Sequence, residues 1–285
     1  MDLDKAIELE PENTNAYNNR GLTYRELEEH QKALADFDKV IKLEPNNADA
    51  YGNRGLTYRA LEKNKQAIAD FDKAIELEPN VVAHYHNRGL VYRDLEKYEE
   101  AMADFNHALE IDKQNVGVLL SRCKNYHYMG YYQQALENLN TSIELDKAQA
   151  SSWRAERGLL LSYLGRYAEA IECYEQNLQE DPDDYTTLYN IAVAIARWKG
   201  VADATEHIAR ARLALLAIRG TKNNVRALYG LGGLEALSGH TSPALNYLRR
   251  AISSSKRVIF WARHDIAWRD LHTDPQFQKL VFKKK

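Results

Sequence analysis

The octet NNRGLTYR runs from Asn18 to Arg25. It returns as GNRGLTYR from Gly52 to Arg59 and as HNRGLVYR from His86 to Arg93, 34 residues apart each time. A fixed period of this length marks one structural unit stacked on its copies, so the period decides the fold. Anchored on the glycine of NRG, the register runs Gly21, Gly55, Gly89, Cys123, Gly158, Ala192 and Gly232, with spacings of 34, 34, 34, 35, 34 and 40. Twelve residues after each anchor stands an alanine: Ala33, Ala67, Ala101, Ala135, Ala170, Ala204 and Ala244. Four residues further lie Phe37, Phe71, Phe105, Leu139, Tyr174, Ile208 and Leu248.

Inside one copy the apolar spacing is helical. Tyr17, Gly21, Tyr24 and Glu28 share a face at i, i+4, i+7 and i+11. A second run, from Ala33 through Phe37 to Leu43, follows the polar break EEHQ. The unit reads as two antiparallel helices with a short turn between them. Small residues at the Gly21 and Ala33 places let the backbones approach, and the Tyr and Phe places fill the gaps. Neither helix hides its apolar stripe alone, so neighbouring copies must stack into a continuous core. Pro11, Pro45, Pro79 and Pro182 each fall where a second helix should stop. Thr241-Ser242-Pro243 offers a capping hydroxyl ahead of a first-turn proline. The wide spacing of 40 predicts an overlong second helix in the sixth copy.

A hydrophobic content of 45% with 28% charge describes a folded chain rather than a disordered one. No apolar run approaches the roughly 18 residues of a membrane span, and no membrane partner is expected. The two cysteines, Cys123 and Cys173, cannot build a disulfide framework, which makes a reducing, cytoplasmic setting the default. The net charge of −3 conceals a polarity. Residues 1–184 carry 21 Lys+Arg against 35 Asp+Glu, net −14, whereas residues 185–285 carry 17 against 6, net +11.

The pattern Tyr51, Gly55, Tyr58, Ala67, Phe71, Ala74, Pro79 resembles the tetratricopeptide repeat. Three copies match closely; in the later ones Leu119, Arg154, Leu188 and Leu228 replace the first Tyr. The resemblance implies an all-α fold, a right-handed superhelical solenoid of antiparallel helix pairs whose concave groove is lined by the first helix of each pair. The expected division is a truncated repeat tail at 1–13, seven units at 14–47, 48–81, 82–115, 116–150, 151–184, 185–224 and 225–258, and capping helices at 259–285. The opening DKAIELEP repeats the DKAIELEP of Asp72 to Pro79, so the chain reads as starting inside a repeat of a longer protein. The trailing Lys283, Lys284 and Lys285 read as a frayed end.

On a helical wheel, Asn15, Asn19 and Leu22 lie opposite the packing tyrosines Tyr17 and Tyr24. The equivalent stripe runs through Asn53 and Leu56, then Asn87 and Leu90, then Lys124 and Tyr128, and reaches Asn190 in the sixth copy. An asparagine ladder can grip the backbone of an extended peptide without reading its side chains, because the amide both donates and accepts. Peptide-binding members of the family carry such ladders. The competing reading has these asparagines bonding the neighbouring first helix and the leucines packing between helices. Arg25, Arg59, Arg93 and His86 flank the stripe, either meeting an acidic ligand or lying as a solvated flank. Arg20, Arg54 and Arg88 stand 16 residues before Asp36, Asp70 and Asp104, a spacing that predicts an ion pair inside each hairpin. The family's carboxylate-clamp places fall on Asn18, Gly52 or His86 and on Leu22, Leu56 or Leu90, which argues against chaperone tails.

The expected function is therefore a non-catalytic scaffold that holds a protein or peptide segment in its groove. No metalloprotease, glycine-rich phosphate-loop or CxxC motif occurs, and no catalytic residue, metal or cofactor is expected. The alternative is a regulatory arm of a larger effector whose groove is filled in cis. Its basic last third, through Arg197, Arg226, Arg249 and Arg250, would dock an acidic protein or RNA. Nucleic acid is the less favoured partner; head-to-tail association with the acidic end of another copy is the other use of that face.

Overall fold

The computed structural model describes residues 3–282; the three terminal lysines lie outside the described residues. Helices α1 (Leu3–Leu9), α2 (Thr14–Glu26), α3 (His30–Leu43), α4 (Ala48–Ala60), α5 (Asn64–Leu77), α6 (Val82–Asp94), α7 (Tyr98–Ile111) and α8 (Val116–Met129) make a first unit. A second unit starts at Gly130. It holds α9 (Tyr132–Leu145), a 3₁₀ stretch (Lys147–Trp153), α10 (Arg154–Tyr163), α11 (Tyr167–Glu180), α12 (Tyr185–Lys199), α13 (Thr205–Ala217), α14 (Asn224–Leu237) and α15 (Thr241–Ser254). It closes with α16 (Arg257–His264), a second 3₁₀ stretch (Ile266–Leu271) and α17 (Pro275–Val281). Among the described residues there is no strand. The boundary between units falls inside the fourth copy of the repeat, with α8 in the first and α9 in the second.

In the first unit α2 packs on α3, α4 on α5 and α6 on α7, and each pair stacks on the first helix of the next. Three of the four first helices start where a side-chain oxygen meets an orphan amide. Asn13, Asn47 and Asn115 accept from the N–H of Ala16, Ala50 and Val118. The second helices α3 and α5 stop directly before the Glu-Pro pairs at Pro45 and Pro79. Ala33, Phe37, Ala67, Phe71, Ala101 and Phe105 are fully buried. A Cβ on Gly21 or Gly89 would lie 2.7 Å from Phe37 or Phe105, so the glycine is what lets each phenylalanine lie across the hairpin.

One expectation about this hairpin fails. Glu28 does not extend the helical face: α2 ends at Glu26, and Glu28 turns the chain in the left-handed region at φ 59°. Glu62 and Glu96 do the same at 56° and 59°, while Gly130, Gly165 and Gly239 hold the same place in later copies at 81°, 75° and 80°. The tight reversal after the first helix needs positive φ, and three copies meet the need with a residue that is strained there.

The expected ion pairs form, with a second arm the spacing did not reveal. Arg54 donates Nε and Nη2 to Asp70 at 2.9 and 2.6 Å, and Nη1 to Asp38 on the preceding hairpin at 2.6 Å. Arg88 treats Asp104 and Asp72 alike, and Arg20 treats Asp36 and Asp4 alike. Each arginine thus ties its own hairpin and fastens it to the one before.

In the second unit α10 packs on α11, α12 on α13 and α14 on α15. Where Cys173 replaces the aspartate, Arg157 reaches only the thiol at 3.9 Å, and its buried Nε is left without a partner. The overlong helix expected in the sixth copy does not occur: α13 has 13 residues, and the additional chain falls between Ile208 and Gly232, in the end of α13 and the turn into α14. Thr241 is the first residue of α15 rather than its cap; His240 holds the cap place without a side-chain bond. Trp268, fully buried, presses on the Gly232 crossing, where a Cβ would lie 2.8 Å from its ring.

Candidate functional site

The face of the first unit lined by α2, α4, α6 and α8 carries a polar row between adjacent first helices. Asn53 on α4 donates to Asn18 Oδ1 on α2 at 3.1 Å and accepts from Arg25 Nη1 at 3.3 Å. Between α6 and α8 the same two places are used again. His86 Nε2 shares a 2.8 Å bond with Ser121 Oγ, and Arg93 Nη1 donates to the Ser121 carbonyl at 3.4 Å. Between α4 and α6 the row is broken. The residue equivalent to Asn18 is Gly52, which has no side chain to offer, and Arg59 is turned to Asp94 at 2.7 Å. Asn87 is consequently half-buried with an amide that has no hydrogen-bond partner among the described residues.

Charge on this face is mixed, for Glu26 acts on Arg25 and Asp94 acts on Arg93. Arg59 has its carboxylate, but Arg25 and Arg93 are not ion-paired among the described residues. Burial lowers the pKa of both guanidiniums. Burial, then the Arg93 and Arg59 charges, push the His86 imidazole down to about 4 from an ordinary 6.5, so it is neutral at pH 7. A half-buried guanidinium whose only acceptor is a carbonyl at the long limit of a hydrogen bond retains most of its donor capacity.

The remaining residues of the expected stripe are placed as follows. Asn15, Asn19 and Lys124 are exposed, and Leu22 is half-buried. Leu56 packs against the core of Ala67, Phe71 and Val91, and Leu90 against that of Tyr85, Phe105 and Leu119. That apolar row therefore serves the core as well as the face. Tyr128 stacks on Tyr98 with ring centroids 5.7 Å apart. Asn190, in the second unit, is half-buried without a bonding partner among the described residues.

In the second unit the first helices are met by the chain's own end. Tyr189 on α12 and Tyr229 on α14 both donate to Asp265 Oδ2 at 2.9 Å, and Tyr132 on α9 bonds His264 Nδ1 at 3.2 Å. Arg197 gives Nε to the Ile266 carbonyl at 2.9 Å, Nη2 to that of Ala267 at 3.3 Å and Nη1 to Asp270 at 2.7 Å. Arg197 is thus spent inside the unit. Of the other arginines read as an outward basic face, Arg226 touches Tyr185 and Arg249 touches Gln276, and both are exposed, as is Arg250. Sequence reasoning missed Tyr189, Tyr229 and Asp265. The signal was available: both tyrosines stand three residues before their anchors, the place held by Asn18, Gly52 and His86, and Asp265 is the first acid of the terminal stretch.

Among the described residues no group of three or more His, Cys, Asp and Glu is placed to hold a metal ion, and no helix is long and apolar enough to cross a membrane. Both cysteines are free and buried.

Residues 14–47, 48–81, 82–115 and 154–184 each match the sequence model of the tetratricopeptide repeat. No curated protein sequence matches the chain. Among solved structures, a tetratricopeptide repeat protein from Parabacteroides merdae aligns over 94% of this chain and 97% of its own, at 15% identity and a TM-score of 0.69. YrrB, described as a TPR protein with an unusual peptide-binding site, aligns over 64% of this chain and 97% of its own, at 26% identity and a TM-score of 0.56. Pseudomonas aeruginosa pilF aligns over 80% and 97%, at 19% identity and 0.53. Proteins of this repeat generally act in protein–protein interaction and are typically non-catalytic scaffolds. With helix pairs formed in each matched stretch and the same fold shared with these structures, the chain is a tetratricopeptide repeat protein.

Proposed function

We propose that the chain is a non-catalytic scaffold whose first unit holds an extended peptide segment of a partner along the face of α2, α4, α6 and α8. The observation that carries this reading is Asn87: a half-buried amide with an open donor and acceptor, where Gly52 offers no side chain at the place of Asn18. Its amide reaches solvent, so it stands open at little cost, and a peptide backbone crossing the face would take up both its donor and its acceptor. The peptide-binding site of YrrB, a protein of the same repeat, supports the reading. Asn19, Leu22 and Lys124, open on the same stripe, extend the contact surface on either side. The two free buried cysteines suit a reducing, cytoplasmic setting.

Photo-crosslinking tests it. A benzoylphenylalanine at position 19 or 124 should capture a partner peptide, one at the exposed Lys65 of α5 should not, and Asn87→Ala should weaken capture. Equal capture from all three positions would reject this face.

A second reading has an observation of its own. The terminal segment from Arg257 to Val281 occupies the first helices of the second unit, as a regulatory arm filled in cis would require. On this reading Arg226, Arg249 and Arg250 dock an acidic partner surface or another copy's acidic end. Such docking should weaken steeply between low and physiological salt and ignore Asn87→Ala.

A further inference from the structure

The second helix of the sixth copy presents an apolar stripe to solvent. In α13 the residues packed inward are Ile208, Ala211 and Leu215, whereas Leu213 is 70% exposed, Leu216 is 41% exposed and Ala209 is exposed with them. At the place of Leu213 the other copies carry Lys42, Glu76, Glu110, Glu144, Gln179 and Ser253. At the place of Ala209 they carry six polar residues, from Asp38 to Arg249. A polar outer face suits a solvated second helix, so α13 departs from its siblings on the side that its own unit leaves open. Ala209, Leu213 and Leu216 follow one another at spacings of 4 and 3, those of a helix–helix seam, and the small member leaves room for a large one opposite. Charge is divided between the ends of this seam. Asp203 and Glu206 stand at the start of α13, and Arg219 and Lys222 just past its end; all four are exposed, and none is ion-paired among the described residues. Arg212 is spent on Glu235, and Arg210 donates to the Pro182 carbonyl.

We propose that two copies of the chain pair through α13, antiparallel about a two-fold axis that passes between Arg212 and Leu213. The register that sets Ala209 against the partner's Leu216 also sets Glu206 against the partner's Arg219 and Asp203 against the partner's Lys222. Every contact occurs twice, as an isologous interface requires, and the two Leu213 side chains meet at the axis. The same charge layout speaks against an anionic surface such as a membrane or a nucleic acid, which would face two carboxylates at one end of the helix. One helix from each copy buries less than about 1,200 Å², the range of weak complexes, so the pair should dissociate on the order of tens of micromolar. The pairing uses no residue of the face of α2, α4, α6 and α8, and it stands or falls separately from the peptide reading.

Sedimentation equilibrium of the full chain, loaded from about 5 to about 500 µM to span that range, tests it. The apparent mass should rise from one chain toward two. Leu213→Asp should remain a single chain throughout; with Leu213 70% exposed the variant should fold, and a circular dichroism melt matching the native chain establishes that. Glu206→Lys and Arg219→Glu should each weaken the pair about fivefold or more, by setting like charges together at both ends of the seam. Combined in one chain they should restore it to within about threefold, because the exchanged charges meet again across the two-fold axis. Asn87→Ala should pair as the native chain does. A native chain that stays single at the highest concentration would overturn the proposal. A dimer indifferent to Leu213→Asp would overturn it too, placing the contact on another surface such as that of Arg226, Arg249 and Arg250. A charge exchange that fails to restore the pair would overturn the antiparallel register.

Discussion

Asn53 on α4 donates to Asn18 on α2 at 3.1 Å while accepting from Arg25 at 3.3 Å; its counterpart Asn87, 34 residues on, has only Gly52 at the place of Asn18 and bonds nothing among the described residues. The same residue in the same repeat place is a structural tie in one copy and an open group in the next. Asn53→Ala should therefore cost about 1 kcal/mol in urea denaturation, the net worth of its two neutral and charge-assisted bonds. Asn87→Ala should leave the midpoint within about 0.5 kcal/mol of the native chain, as a substitution away from any partner does. Equal losses in the two variants would contradict this division.

The arginine clasps are the stiffest polar feature of the first unit. In Arg54→Met the Asp70 carboxylate, 7% exposed, loses both of its bonds, and Asp38 loses its link across the hairpins. A buried carboxylate left unpaired costs about 3 kcal/mol. Adding Asp70→Leu removes the stranded charge, so the double variant should recover more than half of that loss. A double variant no more stable than Arg54→Met alone would show that the clasp itself, rather than the stranded acid, supplies the energy.

Glu28, Glu62 and Glu96 sit at φ 59°, 56° and 59° without need of their side chains at the turn. A left-handed residue with a Cβ costs about 1–2 kcal/mol, part of which glycine returns through its greater freedom in the unfolded chain. Each Glu→Gly change should raise stability by about 0.5–1 kcal/mol, and thermal melts of the three single variants and the triple would show whether the gains add.

These turns also show how far the sequence was legible. The period of 34, the Gly–Ala–Phe anchors and the proline stops are one-dimensional signals, and they prescribed the hairpins, their core and the Arg–Asp clasps within each. Glu28 was misread because the helical wheel continues past the point where the chain must reverse, and only backbone geometry marks that point. The second arms from Arg54 to Asp38 and from Arg88 to Asp72 also lie 16 residues apart, yet they run backwards between copies, where a spacing gives no direction. The candidate site was legible as a stripe but not as a set of roles. Whether Asn87 or Asn53 is open depends on Gly52 against Asn18, a difference that matters only once two first helices are side by side.

His86 gives the first unit an acid-sensitive joint. Its folded value of about 4 lies below the ordinary 6.5, so the folded state resists a proton that the unfolded chain accepts. The stability it contributes is intact above pH 6.5 and is lost as pH falls from 6.5 toward 4. With solvent reaching part of the ring, the loss should be on the order of 1–2 kcal/mol. His86→Gln, which keeps a group able to bond Ser121 but cannot titrate, should flatten that part of the pH profile relative to the native chain. Parallel profiles for the two proteins between pH 6.5 and 4 would remove His86 from the account.

The junction of Tyr189, Tyr229 and Asp265 is where the terminal segment is pinned to the second unit. Both hydroxyls converge on one carboxylate oxygen at 2.9 Å, and the other oxygen accepts from the Ala267 N–H at 2.8 Å. Burial raises the pKa of Asp265, against the lowering by these three donors. A raised carboxyl favours the folded state most when protonated, so this group's contribution declines as pH climbs from the ordinary 3.8 through the raised value. Asp265→Asn keeps an oxygen acceptor without the charge and should stay within about 1 kcal/mol of the native chain at pH 7. Asp265→Ala strands the hydroxyls of two buried tyrosines, Tyr189 at 7% and Tyr229 at 8% exposure, and should cost about 2–3 kcal/mol. The loss should be local: hydrogen exchange at residues 257–281 should speed up first, while α2 to α7 keep their protection. An Asn variant as damaging as the Ala variant would mean that the charge, with Arg197 as its nearby complement, holds the segment in place and the shared acceptor oxygen does not.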